Sequence, residues 1–158
     1  MSEPAFDELL RRLSEAEVEF VVVGGLAVNA WGVVRGTKDV DVVIATDPEN
    51  VRRVAEVAAE AGGHVQQGHA LLGSAFSIAS ALAGGDQVMI ETDLGRLDVV
   101  QGLDGVPSFE ELRPRSSEAE ILGVAVAVCG VDDLMAMKRA AGRTRDLADL
   151  EDLEAASG

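Results

Sequence analysis

Strands alternating with helices predict an α/β (α+β) fold for this 158-residue chain: a mixed β-sheet flanked by helices, with two helices at the C-terminus. Three observations carry the prediction. β-Branched runs of strand length, Glu19-Phe-Val-Val-Val23 and Asp39-Val-Asp-Val-Val-Ile44, are each followed by a helix-start signal. One glycine pair, Gly24-Gly25, stands where the first run hands over to a helix. Another, Gly62-Gly63, ends the helix after the second run. No repeat, low-complexity tract or proline-rich linker interrupts the sequence, so residues 1–158 read as a single minimal domain.

Each element follows from local chemistry. Ser2 is placed to cap an opening helix, with Pro4 in its first turn and Phe6, Leu9, Leu10 and Leu13 on one apolar face. Residues 19–23 make a buried strand, and residues 26–31 a short helix. After the strand at 39–44, Thr46-Asp47-Pro48-Glu49 supplies a cap and a first-turn proline for a helix running to Ala61. Residues 69–83 suit either a helix or a strand with a loop. Residues 88–92 and 96–100 read as paired strands around Asp93-Leu-Gly95. Short strands follow at 120–122 and 124–128. Helices at 132–141 and 146–155, separated by Gly142-Arg-Thr, close the chain.

Composition narrows the function classes. Hydrophobic residues at 47% and charged residues at 26% describe a chain that folds. The single cysteine, Cys129, forms no internal bridge and agrees with a reducing compartment. No apolar run approaches the roughly 20 residues of a membrane span. The opening MSEPAFDELLRR is acidic where a signal peptide is basic and apolar. A cytoplasmic protein without a membrane partner is expected. High alanine, glycine and arginine beside only two lysines point to a GC-rich bacterial source. A net charge of −15 argues against general DNA binding, which rests on neutralising phosphates. A phosphate-bearing substrate must be held locally, by a metal ion, backbone amides or a basic island.

The segment VVVGGLAVNAWGVVRGTKDVDVVI, residues 21–44, is the most informative. In a strand, residues i and i+2 share a face, so Asp39 and Asp41 stand side by side. Two such carboxylates repel, and a hard divalent cation removes the penalty. Gly24-Gly25, between strand and helix, lets a phosphate approach backbone amides at the helix start. A dinucleotide fingerprint fails at Leu26, and no Gly-Lys-Ser/Thr follows to make a P-loop.

Gly24-Gly25 followed by Arg35-x-Thr37-x-Asp39-x-Asp41 resembles the DNA polymerase β-like nucleotidyltransferase superfamily. The spelling is most similar to abortive-infection, toxin-type members, and lincosamide nucleotidyltransferases and CCA-adding enzymes carry similar segments. The resemblance implies a third carboxylate on a neighbouring strand, which Asp98 in Gly95-Arg-Leu-Asp-Val-Val matches. It also implies a lysine and an aspartate on later helices, matched by Lys138 and Asp146. These matches run from about residue 20 to residue 150. By the resemblance, Asp39, Asp41 and Asp98 hold Mg²⁺, in all two ions. Asp98 also helps deprotonate the attacking hydroxyl. Gly24, Gly25, Arg35 and Thr37 bind the NTP phosphates, and Lys138 neutralises the triphosphate with Asp146 orienting it. The pair Gly-Gly, where polymerase-like and antitoxin members carry Gly-Ser, argues against those branches.

Periodicity supports Lys138 separately, because it projects on one face with Leu134, Met137 and Ala141. Asp146 falls between Leu150 and Leu153 in projection. A charge on an apolar face is paired or functional, and Lys138, Asp146 and Arg143 can pair among themselves. Lys138, Arg139, Arg143 and Arg145 form a basic island, suited to a triphosphate or an RNA acceptor. His64 and His69 lack the spacing of zinc ligands and read as structural or surface residues. Cys129, Met135 and Met137 read as core.

The expected activity is transfer of an NMP from an NTP to an acceptor hydroxyl, with release of pyrophosphate. The resemblance favours an RNA acceptor such as a tRNA end, in a toxin–antitoxin setting with a cognate antitoxin protein. A small-molecule acceptor, as in antibiotic nucleotidylation, suits the acidic surface better. The other class of reading is a catalytically idle, antitoxin-like nucleotide-binding module acting through a protein partner. The helical C-terminal domain of the larger toxins is expected to be missing, which favours that second class. No tyrosine and one tryptophan leave little for stacking a base.

Overall fold

The computed structural model describes residues 4–157. Helix α1 (Phe6–Glu15) leads to strand β1 (Phe20–Val23), helix α2 (Gly24–Ala30), strand β2 (Asp39–Ile44) and helix α3 (Pro48–Glu60). A hairpin, β3 (Val65–Gln67) and β4 (Ala70–Leu72), precedes α4 (Ala75–Ala83), β5 (Val88–Thr92) and β6 (Gly95–Val99). The short α5 (Phe109–Leu112), β7 (Ser117–Ile121), β8 (Val124–Val128), α6 (Val131–Ala141) and α7 (Thr144–Ser157) complete it.

Six strands form one mixed sheet in the order β5-β6-β2-β1-β8-β7. Strand β2 runs antiparallel to β1 and parallel to β6, while β1 and β8 are parallel. The four residues of β1 are all buried, which is why that run carries no alternation in the sequence. Helix α1 buries Leu9, Leu10 and Leu13, the stripe its periodicity predicts. Asp47 caps α3 by accepting from the backbone N–H of Asn50 (3.1 Å), with Pro48 at the first position. Asn50, 2% exposed, is itself a buried polar brace: its amide donates to the carbonyls of Glu19 and Ala45.

Several expected boundaries shift. Ser2 as a cap lies outside the described residues; the residue in the capping position is Ala5, whose side chain makes no capping bond. Helix α2 begins at Gly24 rather than Leu26, so both glycines belong to its first turn. The ambiguous stretch at 69–83 resolves into strand β4 and helix α4, the latter capped by Ser74 through the backbone N–H of Ser77. Strand β7 starts at Ser117, three residues earlier than expected. Its alternation is weak because four of its five residues are not fully buried. Helices α6 and α7 meet across Gly142, which takes φ +65° and donates its N–H to the Lys138 carbonyl.

Candidate active site

Sheet register builds the acidic cluster. Asp39 and Asp41 are alternate residues of β2, and on parallel β6 Asp98 lies directly opposite Asp41. The intervening Val40 is buried in the core on the other face. Carboxylate oxygens of Asp39, Asp41 and Asp98 lie within 4.8 Å of one another. Asp98 is 5% exposed, and the guanidinium of Arg96, two residues earlier on the same face, donates to it at 3.2 Å. Burial, added to the negative charges of Asp39 and Asp98, pushes the Asp41 carboxyl up to about 7. Burial also raises Asp98, against the pull of Arg96.

The glycine pair fits against this cluster. Gly24 adopts φ +66°, and a Cβ there would collide with the Asp41 carboxylate. At Gly25 a Cβ would stand 2.7 Å from the Thr37 hydroxyl oxygen and 3.9 Å from Cζ of Arg35. Thr37 in turn donates to the Asp39 carbonyl at 2.9 Å, and Asn29 holds the backbone N–H of Arg35 at 3.1 Å. The turn after β1 and the approach to β2 are therefore one packed unit.

The basic side comes from the last two helices. Lys138, 8% exposed on α6, lies 3.3 Å from Asp146 and 3.0 Å from Asp149 of α7. The open alternatives for pairing resolve here: Lys138 and Asp146 pair, and Arg143 joins them at 2.6 Å from Asp146. Burial works to raise Asp146, but its bonds to Arg143 and Lys138 outweigh that, holding its carboxyl below the ordinary value. Arg35 reaches across from the segment before β2 to pair with Asp149.

All nine residues singled out from the sequence — Gly24, Gly25, Arg35, Thr37, Asp39, Asp41, Asp98, Lys138 and Asp146 — line one cleft of about 660 Å³. The rest of its wall mixes an aliphatic patch, including Val100, Leu103 and Leu134, with Lys38, Gln87, Arg96, Arg143 and Arg145. Asp149 and Arg96 escaped sequence reasoning. The signal for Asp149 was present, because in helical projection it lies nearer to Leu153 than Leu150 does. Cys129 is fully buried, and burial lifts its thiol to about 12, so it is an inert core residue. His64 is half-buried, His69 is exposed, and neither belongs to the cleft.

The donor set suits a hard divalent cation: three carboxylates on one rigid sheet face, the central one held against ionisation by burial and then by its neighbours' charge.

Comparison with known proteins decides the family. The chain matches the nucleotidyl transferases of unknown function (DUF2204) over residues 3–157. It belongs to that family. This nucleotidyltransferase also shares its fold with solved structures. LnuA, a lincosamide antibiotic adenylyltransferase solved with lincomycin bound, superposes with TM-score 0.65 at 13% identity, over 98% of this chain and 97% of that one. The complex of ANT(2″)-Ia, an antibiotic-resistance factor, with adenylyl-2″-tobramycin gives 0.64 at 16%, over 97% and 87%. A nucleotidyltransferase described from Thermotoga maritima, TM1012, gives 0.55 at 14%, over 93% and 88%. Identities this low show likeness of fold alone. No curated protein sequence matches the chain. The fold is the one these nucleotidyltransferases share. Among the described residues no helix is long and apolar enough to cross a membrane.

Proposed function

We propose that this nucleotidyltransferase moves an NMP from an NTP to a hydroxyl of a small-molecule acceptor, with Mg²⁺ and release of pyrophosphate. One observation carries the reading: a carboxylate triad and a group of cations line a single cleft. Asp39, Asp41 and Asp98 would hold Mg²⁺, in the two-ion arrangement such chemistry uses. When bound, Mg²⁺ supplies charge neutralisation on the phosphates and lowers the pKa of the attacking hydroxyl.

The chain's own groups divide the work. Backbone amides at Gly24 and Gly25, with Arg35, Thr37 and Lys138, hold the β- and γ-phosphates, and Asp146 orients Lys138. Asp98 accepts the proton of the acceptor hydroxyl. The hydroxyl oxygen forms its bond to the α-phosphorus as the bond to the bridging β-oxygen breaks, and pyrophosphate leaves toward Lys138 and Arg35. In-line displacement places the acceptor opposite those cations. That side is the β6–β5 flank of Asp98, where Arg96, Glu91 and Met89 share the active face.

The acceptor choice rests on charge. A net −15 chain repels a polyanionic RNA; Arg35, Lys138 and Arg143 stand on the triphosphate side of the cleft, and Arg96 on the acceptor flank is paired with Asp98. The fold likeness to LnuA and ANT(2″)-Ia, both described with antibiotics or their adenylylated product, supports a small acceptor. An idle, antitoxin-like module has no physical need to keep three repelling carboxylates together.

The test is incubation with each α-labelled NTP, Mg²⁺ and either aminoglycoside and lincosamide acceptors or total bacterial RNA, read by thin-layer chromatography and denaturing gel. Label should appear on a small acceptor and fall on the order of 1,000-fold or more in Asp41→Asn, with the circular dichroism spectrum retained. Label on tRNA-sized RNA would restore the toxin-type acceptor. NTP·Mg²⁺ binding without turnover would leave the idle module.

A further inference from the structure

Helix α7 turns inward a stripe of two acids and one leucine. Asp146, Asp149 and Leu153 are its buried positions, spaced so that the two carboxylates lie one helical turn apart on the same face. Asp146 is 1% exposed and Asp149 is 6% exposed, a burial that carboxylates tolerate only when paired. Their partners come from three different parts of the chain. Arg143 precedes α7, Lys138 lies on α6, and Arg35 belongs to the segment that joins α2 to β2.

Asp149 is the joint between them. It contacts both Lys138, at 3.0 Å, and Arg35, which stands more than a hundred residues away in sequence. No other described acid pairs with Arg35. Thr37 of that same segment packs against Gly25 of α2. Three cations share two carboxylates, so the group keeps net positive charge and spare N–H donors while each side chain is fixed in place. Without Asp149 the guanidinium of Arg35 and the ammonium of Lys138 would repel and separate.

We infer that Asp149 is a positioning residue that clamps Arg35 and Lys138 together into one triphosphate cradle, so that the C-terminal helix sets the geometry of a loop at the other end of the chain. This rests on the nucleotidyl-transfer reading. Asp149 is not among the residues that line the cleft; it acts through the two cations.

The test is binding of inorganic tripolyphosphate with Mg²⁺, measured by calorimetry, beside steady-state kinetics for the NTP. Asp149→Asn should weaken tripolyphosphate and raise KM for the NTP by roughly ten-fold or more, while kcat changes less. In the double variant Arg35→Gln/Asp149→Asn, the added loss from Asp149 should be smaller than its loss alone. A purely structural acid would lower Tm without this non-additivity. Unchanged tripolyphosphate affinity in Asp149→Asn, or losses that add fully, would overturn the inference. If Asp149→Asn does not fold, Asp149→Glu keeps the charge and displaces it by one methylene: weakened binding supports the clamp and unchanged binding overturns it. Failure of the wild type to bind tripolyphosphate at all would remove the nucleotidyl-transfer reading itself.

Discussion

Asp41 carries the heaviest electrostatic load in the cleft. Its carboxyl stands at about 7 in the folded chain against an ordinary 3.8, first from burial and then from the charges of Asp39 and Asp98. Between those values the folded state binds more protons than the unfolded one, so stability falls as pH rises from about 4 to about 7. Asp98, raised in the same direction, adds to that slope. Metal-free protein should therefore lose on the order of 1–3 kcal/mol of unfolding free energy across that window. Asp41→Asn should flatten the profile, and added Mg²⁺ should restore stability near neutral pH. Urea titrations at successive pH values check this; a wild-type profile already flat without metal would contradict it. From sequence alone the i, i+2 spacing revealed the pair. The magnitude of the load was not legible, because it depends on how deeply β6 and the helices bury the pair.

Among the elements, α2 owes its place to the absence of two side chains. Gly24 takes a left-handed φ directly behind Asp41, and Gly25 leaves room for Thr37. A left-handed conformation costs a residue with a Cβ roughly 1–2 kcal/mol before any collision is counted. Gly24→Ala should destabilise by about 1–3 kcal/mol in denaturant unfolding and reduce transfer more severely, on the order of 100-fold, since Asp41 itself must move. Equal transfer in a folded Gly24→Ala protein would remove the close-approach role. The same reasoning explains a boundary error. Glycine reads as a helix breaker in sequence, yet here it opens the helix, because the turn needs the freedom that only glycine has. Strand β3 and the short α5 were invisible for a different reason: three- and four-residue elements show no period.

At the scale of the molecule, an acidic chain holds a basic pocket. Arg35, Lys138, Arg143 and Arg145 line the cleft of a protein with net charge −15. That contrast draws a small phosphorylated ligand inward at short range and opposes a long polyanion at every other approach. Filter binding of bulk tRNA at low salt should yield no saturable complex. A complex whose affinity falls steeply with salt would instead reveal an RNA surface and reverse the choice of acceptor.

The sequence by itself determined the alternation of strands and helices, the shared face of Asp39 and Asp41, and the glycine turn. These are local: they follow from a period of two, a period of 3.6 and the conformational freedom of glycine. It also marked Lys138 and Asp146 as misplaced charges on apolar faces. Only the tertiary structure decided that Asp98 stands opposite Asp41, that Arg96 neutralises it, and that Asp149 joins Arg35 to Lys138. Strand register and helix docking bring together residues far apart in sequence, and no local pattern encodes the distance between them.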